Sequence, residues 1–406
     1  MLLKLYIYKI LSNAVTLLDN RTFYYSRNIS KLLNIMVIII LSSISIVNAD
    51  ILIFTELVYI IIIIIDTNFI LTYKEFFPQI KNTINYYKIL LAKSKYLCAA
   101  KNYSINTKEK ITNNKLNPWW ITGFVDAEGS FSISIVKNIE RTIRWRIKLA
   151  FSITLHAKDI DLLNRIRDFF GVGNIYIYGD KASYKVDSRE NLKNVIIPHF
   201  EKYSLITQKA SDFILFKEIL NLISNNKLTL ELFQTILNLK ASHNKGLTKE
   251  LLDLFPETCA VPRPLVPSQD IKNPNWITGF TDGDGCFFVK ISKSSQAKLG
   301  SKTSLDFNIR QHSRDVLLLS SLINFFKCGN IYETPGVAEF RVSKISDIQN
   351  IIIPFFKAYP LQSHKIQNFL DFILVSKMIE NKEHLTIKGL EKIKVIKTGM
   401  NAGREN

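Results

Sequence analysis

The stretch WITGFVDAEGSFSISI runs from Trp120 to Ile135, and WITGFTDGDGCFFVKI runs from Trp276 to Ile291. A shift of 156 residues carries the first onto the second. With no gap, the same shift lays Phe151, Ile153, His156 and Asp159 on Phe307, Ile309, His312 and Asp315. It also carries Gly173-Asn174-Ile175-Tyr176 onto Gly329-Asn330-Ile331-Tyr332, and Pro198, Tyr203, Leu205 and Lys209 onto Pro354, Tyr359, Leu361 and Lys365. This is a tandem duplication, and its period is longer than that of solenoid repeats, so each copy is a domain-sized unit. The expected bounds are 117–245 for the first copy and 273–390 for the second. Between them, residues 246–272 contain Pro256, Pro262, Pro264 and Pro267, a composition suited to a semi-rigid extended linker.

Periodicity gives the elements of one copy. Pro118 opens a helical stretch that reaches about Glu128. Strict alternation follows in Phe131, Ile133 and Ile135, then in Ile143, Trp145, Ile147, Leu149, Phe151 and Ile153, which predicts a hairpin. A helix with Leu162, Leu163 and Ile166 on one face runs from about Asp159 to Phe170, where Gly171 and Gly173 stop it. Short strands at 175–178 and 184–187 precede helices from about Glu190 and about Leu205. The predicted class is α+β, with two αββαββα units.

The repeated helix carries small residues four apart: Gly123 and Ala127 in the first copy, Gly279 and Gly283 in the second. Glycine within a helix costs about 1 kcal/mol relative to alanine, so something must offset it. Packing of the two small-residue faces against each other would do so. It would also make the copies halves of one pseudo-symmetric body. If the helices pair in parallel, Glu128 and Asp284 meet at their C-terminal ends, where the helix dipole already disfavours negative charge. Bound divalent cations relieve both that penalty and the mutual repulsion, and hard oxygen ligands suit Mg²⁺. Carboxylate-held metals of this kind can activate water and stabilise the leaving oxygen of a phosphodiester. Asp126 and Asp282 fall two positions earlier and point elsewhere, as capping or packing groups.

Composition agrees with a polyanionic partner. The 406 residues include 53 Lys and Arg against 35 Asp and Glu, a formal net charge of +18. Such an excess promotes phosphate binding through counterion release. The four cysteines form no CxxC pair, which argues against a zinc site or a disulfide framework. Residues 1–105 differ in character, with nearly continuous apolar runs at 32–47 and 51–65. Each run is shorter than the roughly 20 residues that span a bilayer comfortably. This hydrophobic N-terminal extension reads either as a candidate membrane contact or as a buried extension, including exon-derived coding sequence upstream of an intron reading frame.

Ile121 to Gly129 (ITGFVDAEG) and Ile277 to Gly285 (ITGFTDGDG) resemble the two signature helices of the double-motif LAGLIDADG homing endonucleases. The resemblance covers 117 to about 385 and leaves the N-terminal extension outside the family pattern. It implies that the acidic residue before each final glycine, Glu128 and Asp284, is the catalytic, metal-binding carboxylate. It also implies saddle-shaped antiparallel sheets lying on double-stranded DNA, and an origin in a mobile intron of the mitochondrion. Gln311 matches a polar position that borders the cleavage centre in relatives, whereas the first copy has Leu155 there. Lys209 and Lys365 read either as catalytic groups polarising the scissile phosphate or as ordinary phosphate-contacting lysines. His156 and His312, at strand–helix junctions, read as packing or capping residues.

A sheet lying on DNA must be apolar toward its helices and polar toward the groove. In the first copy the polar sets are Ser130, Ser132 and Ser134, followed by Arg144, Arg146 and Lys148. In the second they are Lys290, then Lys302, Asn308 and Arg310. Such residues can bond phosphates or base edges. The expected protein is a monomeric, metal-dependent DNA endonuclease cutting one phosphodiester per strand. Its rivals are an RNA maturase that assists splicing of its intron and a membrane component with an incidental soluble part.

Overall fold

The structure, a computed structural model, describes residues 115–401 apart from 141, 267 and 268. The hydrophobic N-terminal extension, with its expected membrane or exon-derived character, lies outside the described residues. Among those described, no helix is long and apolar enough to cross a membrane.

The first copy opens with helix α1, Pro118–Glu128. Asn117 caps it by accepting a hydrogen bond from the Trp119 N–H at 2.9 Å, and Pro118 pre-sets the first turn. Strands β1 (Gly129–Lys137) and β2 (Trp145–His156) follow, then α2 (Ile160–Phe170), β3 (Asn174–Tyr178) and β4 (Lys181–Val186). A helical segment broadens into a π turn at Leu192–Ile196 before α3 (Ile197–Lys202), and the longer α4 (Lys209–Asn225) and α5 (Leu230–Ala241) complete the copy. The second copy repeats this series as α6 (Pro274–Asp284), β5 (Gly285–Lys293), β6 (Ser301–His312), α7 (Val316–Phe326), β7 (Asn330–Thr334), β8 (Val337–Val342), α8 (Ile353–Ala358), α9 (Lys365–Glu380) and α10 (Ile387–Thr398).

Each copy holds one four-stranded antiparallel sheet, in the orders β1-β2-β4-β3 and β5-β6-β8-β7. One face of each sheet is buried under helices. Phe131 packs at ring-centre distances of 5.2–5.4 Å against Phe151, Phe200, Phe213 and Phe216. Phe287 repeats that arrangement with Phe307, Phe356, Phe369 and Phe372 at 5.1–5.4 Å. The α+β, two-sheet architecture expected from the duplication is therefore present.

The second copy extends beyond residue 390, the expected bound, because α10 is the counterpart of α5. At its end Asn401 donates from Nδ2 to the Phe287 carbonyl at 3.2 Å, as Asn244 donates to the Phe131 carbonyl at 3.1 Å. Both asparagines adopt left-handed backbone, with φ of 49° and 53°. These two positions differ by 157 residues rather than 156, so a gapless shift no longer aligns them.

Arg144 requires a correction. It lies before β2, which starts at Trp145, and it has φ of 57° in the turn, so it does not share the face of Arg146 and Lys148. The Asn138 N–H donates to its carbonyl and closes the hairpin at 2.8 Å. Gly300, at the same place in the second copy, has φ of 64° and closes its hairpin with Ser294. The turn demands left-handed backbone there, which breaks the alternation that the side-chain pattern suggests.

Candidate active site and nucleic-acid face

Helices α1 and α6 pack together through their small residues. A Cβ built on Gly123 would overlap the Trp276 carbonyl and lie 2.9 Å from the Phe280 nitrogen. One built on Gly279 would overlap the Trp120 carbonyl and lie 2.8 Å from the Phe124 nitrogen. Only glycine allows the two backbones this close. One turn further on, Gly283 faces the Ala127 methyl group, and a Cβ there would lie 3.5 Å from Glu128 Oε1. The two helices therefore run side by side and end together.

Four carboxylates follow from this packing. Asp126 accepts from Trp276 Nε1 at 2.8 Å and from the Ile206 N–H, Thr207 N–H and Thr207 hydroxyl at 3.1, 3.2 and 2.5 Å. Asp282 mirrors it with Trp120 Nε1 at 2.9 Å, the Gln362 and Ser363 N–H groups and the Ser363 hydroxyl. Each of these aspartates thus ties the other copy's tryptophan to the segment that leads into its own copy's α4 or α9. Burial pushes both carboxyl groups upward, against the donors that surround them.

Glu128 and Asp284 are half-buried at the helix ends. Burial, and after it the charge of Asp284, raises the Glu128 pKa. Burial likewise raises Asp284, while the Gln311 hydrogen bond and the Lys209 and Lys365 charges oppose it. Gln311 donates from Nε2 to Asp284 Oδ2 at 2.5 Å, and Leu155 in the first copy offers Glu128 no such donor. The site is asymmetric in this respect.

Lys209 donates to the carbonyls of Val125 and Ala127 at 2.8 and 3.1 Å. Lys365 donates to those of Thr281 and Gly283 at 2.9 and 2.6 Å. Each lysine therefore caps the C-terminal end of its motif helix and holds a cation beside the carboxylates. Burial lowers both lysine pKa values, with nearby carboxylates opposing. His156 and His312 accept from the Lys158 and Arg314 N–H groups at 3.2 Å, as caps of short 3₁₀ turns.

This donor set suits a hard divalent cation. Two carboxylates lie at the negative ends of two helix dipoles, a placement that a cation stabilises and its absence penalises. Among the described residues no group of three or more His, Cys, Asp or Glu converges as a closed metal cage. A cation held by Glu128 and Asp284 would take one acid from each copy and would keep positions open for other oxygen ligands.

The exposed faces of the sheets flank this centre. On the first, Ser130, Ser134, Arg146 and Lys148 are exposed, and half-buried Ser132 bonds the Ala150 carbonyl at 3.1 Å. On the second, Lys290, Lys302 and Arg310 are exposed and Asn308 is half-buried. The outer strands add residues that sequence reasoning missed. In the first sheet, register places Lys181, Ser183 and Lys185 of β4, and Asn174, Tyr176 and Tyr178 of β3, on the same face as Ser152 and Thr154. In the second it places Glu339 and Arg341 of β8, and Asn330 and Tyr332 of β7, beside Asn308 and Arg310. Alternation in Lys181-Ala182-Ser183-Tyr184-Lys185 carried the signal. Acidic Asp306 also falls on the second face, paired with Phe288.

A family profile described as LAGLIDADG endonuclease matches residues 121–220 and 277–376. A probable intron-encoded endonuclease 2 of Neurospora crassa is 40% identical over 326 residues, covering 75% of this chain and 71% of that protein. The chain belongs to the LAGLIDADG endonuclease family. A second Neurospora crassa relative, probable intron-encoded endonuclease 3, is 36% identical over 289 residues, covering 70% of this chain and 54% of that protein. Among solved structures, the I-SmaMI LAGLIDADG homing endonuclease bound to cleaved DNA aligns with a TM-score of 0.70 at 42% identity, over 72% of this chain and 99% of that one. I-SmaMI has also been solved on its uncleaved DNA target in the presence of calcium ions, aligning here with a TM-score of 0.69.

Proposed function

We propose that this LAGLIDADG chain is a site-specific endonuclease that cuts both strands of duplex DNA, encoded by and promoting the spread of a mobile mitochondrial intron. The observation that carries the reading is the convergence of Glu128 and Asp284 at the ends of two helices packed backbone to backbone. Both acids come from one chain, so a monomer suffices. The retained acid pair favours cutting over an RNA maturase role, and the kinship with intron-encoded endonucleases supports the same reading.

Glu128 and Asp284 would hold Mg²⁺, which when bound supplies Lewis-acid stabilisation of the phosphodiester and a more acidic water. The rest falls to side chains of this chain. Lys209 and Lys365 place positive charge within reach of both acids and fix the helix ends that carry them. Gln311 orients Asp284 through its amide, a hydrogen bond that only the second copy's acid receives. The basic sheet faces would straddle the duplex on either side of the centre and set its register.

The full-length protein, incubated with duplex spanning the intronless junction of its host gene and with Mg²⁺, should cut both strands at one place and fall silent in EDTA. A failure to cut that junction under any divalent cation, with the protein folded, would contradict the reading.

A further inference from the structure

On the exposed face of the second sheet one buried carboxylate holds two arginines. Glu339, in β8, is only 6% exposed. Its Oε2 accepts from Arg310 Nε at 2.6 Å, and its Oε1 accepts from Arg341 Nε at 2.6 Å. Arg310 lies directly opposite on β6, and Arg341 lies two residues along β8 on the same face. Both bonds use Nε. Neither guanidinium therefore spends its terminal amine pair on Glu339, and the anchored Nε fixes the plane of each fork. The Arg341 guanidinium also lies over the Tyr332 ring at 4.8 Å, which restrains it further. Arg310 keeps 64% of its side chain exposed.

The fold does not need this triad. The first sheet has Thr154, Ser183 and Lys185 in the three places, and the two hydroxyls meet at 2.9 Å in the same register. A neutral pair thus serves where the second copy buries a charge. Ion pairs with a buried member contribute little net stability, so their better-attested use is orientation. The carboxylate also offsets one of the two positive charges, which weakens non-directional attraction to phosphate and leaves the directional bonds of the forks.

We propose that Glu339 is a positioning residue for base recognition, holding Arg310 and Arg341 so that their terminal amines read guanine in the half-site beneath the second sheet. An arginine fork matches the O6 and N7 acceptors on the major-groove edge of guanine. Arginines already fixed before contact lose less rotamer freedom on binding. At the three equivalent places the first sheet presents Thr154, Ser183 and Lys185, so it has no counterpart to this carboxylate-held pair. The inference rests on the duplex-DNA reading given above.

Equilibrium binding selection from a randomised duplex library, using the full-length protein, tests it. The wild-type pool should fix guanine at one or two positions of one half-site that respond to the variants below. Glu339→Ser should reduce guanine discrimination there by roughly 10-fold or more and change other positions by only about 2-fold. Arg341→Lys keeps the charge and the Glu339 partner but lacks the fork, and should relax one guanine position alone. Unchanged guanine preference in Glu339→Ser, whatever Arg341→Lys does, or an even loss at every position, would overturn the proposal. So would a wild-type pool with no guanine in either half-site. A wild-type pool with no preferred sequence would sink both this proposal and the DNA-recognition reading. Because the readout is binding, failure to cleave a selected sequence counts against the endonuclease reading alone.

Discussion

Lys365 illustrates how single residues support the acids without belonging to the repeated motif. Its ammonium bonds two carbonyls at the end of α6, and its charge counteracts the burial that raises Asp284. Lys365→Met should leave those carbonyls unpaired, costing about 1–3 kcal/mol of stability by denaturant titration. It should also slow cleavage more than it weakens DNA binding. A variant that cuts at the wild-type rate would show that the lysine is dispensable to the site. The sequence marks Lys209 and Lys365 only through their equivalence under the repeat. Their partners are carbonyls more than 80 residues away, which no side-chain pattern signals. For the same reason Asp126 and Asp282 could be assigned to packing, but not to the opposite copy's tryptophans, 150 and 162 residues distant.

At the scale of elements, the contact between α1 and α6 depends on Gly123 and Gly279. Gly279→Ala would drive a methyl group into the Trp120 carbonyl, a backbone atom that cannot turn aside. The helices would have to separate, at a cost of about 1–3 kcal/mol or more. The thermal midpoint should fall, and cleavage should fall further because the acids separate with the helices. An alanine variant with both unchanged would mean that the helices do not approach this closely. Phe131→Ala tests the sheet–helix core independently, with an expected loss of about 3–5 kcal/mol. The motif helices and inner strands were legible because their periodicities are strong and occur twice. Arg144 was misread because alternation reports which side chains are apolar, not where the backbone turns. Comparison with Gly300, which needs its left-handed φ, would have exposed the error.

At the scale of the whole molecule, the copies are joined by polar links beyond the central helices. Arg165 donates to Gln362 Oε1 at 2.6 Å, the Gln208 N–H donates to Asp315 at 2.8 Å, and Asp159 meets His364 Nδ1 at 2.8 Å. Burial raises the Asp159 carboxyl, but the His364 hydrogen bonds and charge, with Lys158, outweigh it and leave the pKa below the usual 3.8. A depressed acid contributes stability above its unfolded pKa and loses it as pH falls through the folded one. Asp159→Asn should therefore cost about 0.5–1 kcal/mol near neutral pH, a difference that closes as pH drops below 3.8. A constant difference across that range would place its origin elsewhere. None of these links was legible, because each joins residues 107 to 205 positions apart whose types occur widely on protein surfaces.

We propose that Glu128 and Asp284 act together as the cutting centre, while the sheets on either side hold the DNA. The most direct measurement compares plasmid linearisation with duplex binding for wild type, Glu128→Gln and Asp284→Asn on the same target with Mg²⁺. Each isosteric change should retain binding within a few-fold and abolish linear product. Linearisation at the wild-type rate by either variant would contradict the account.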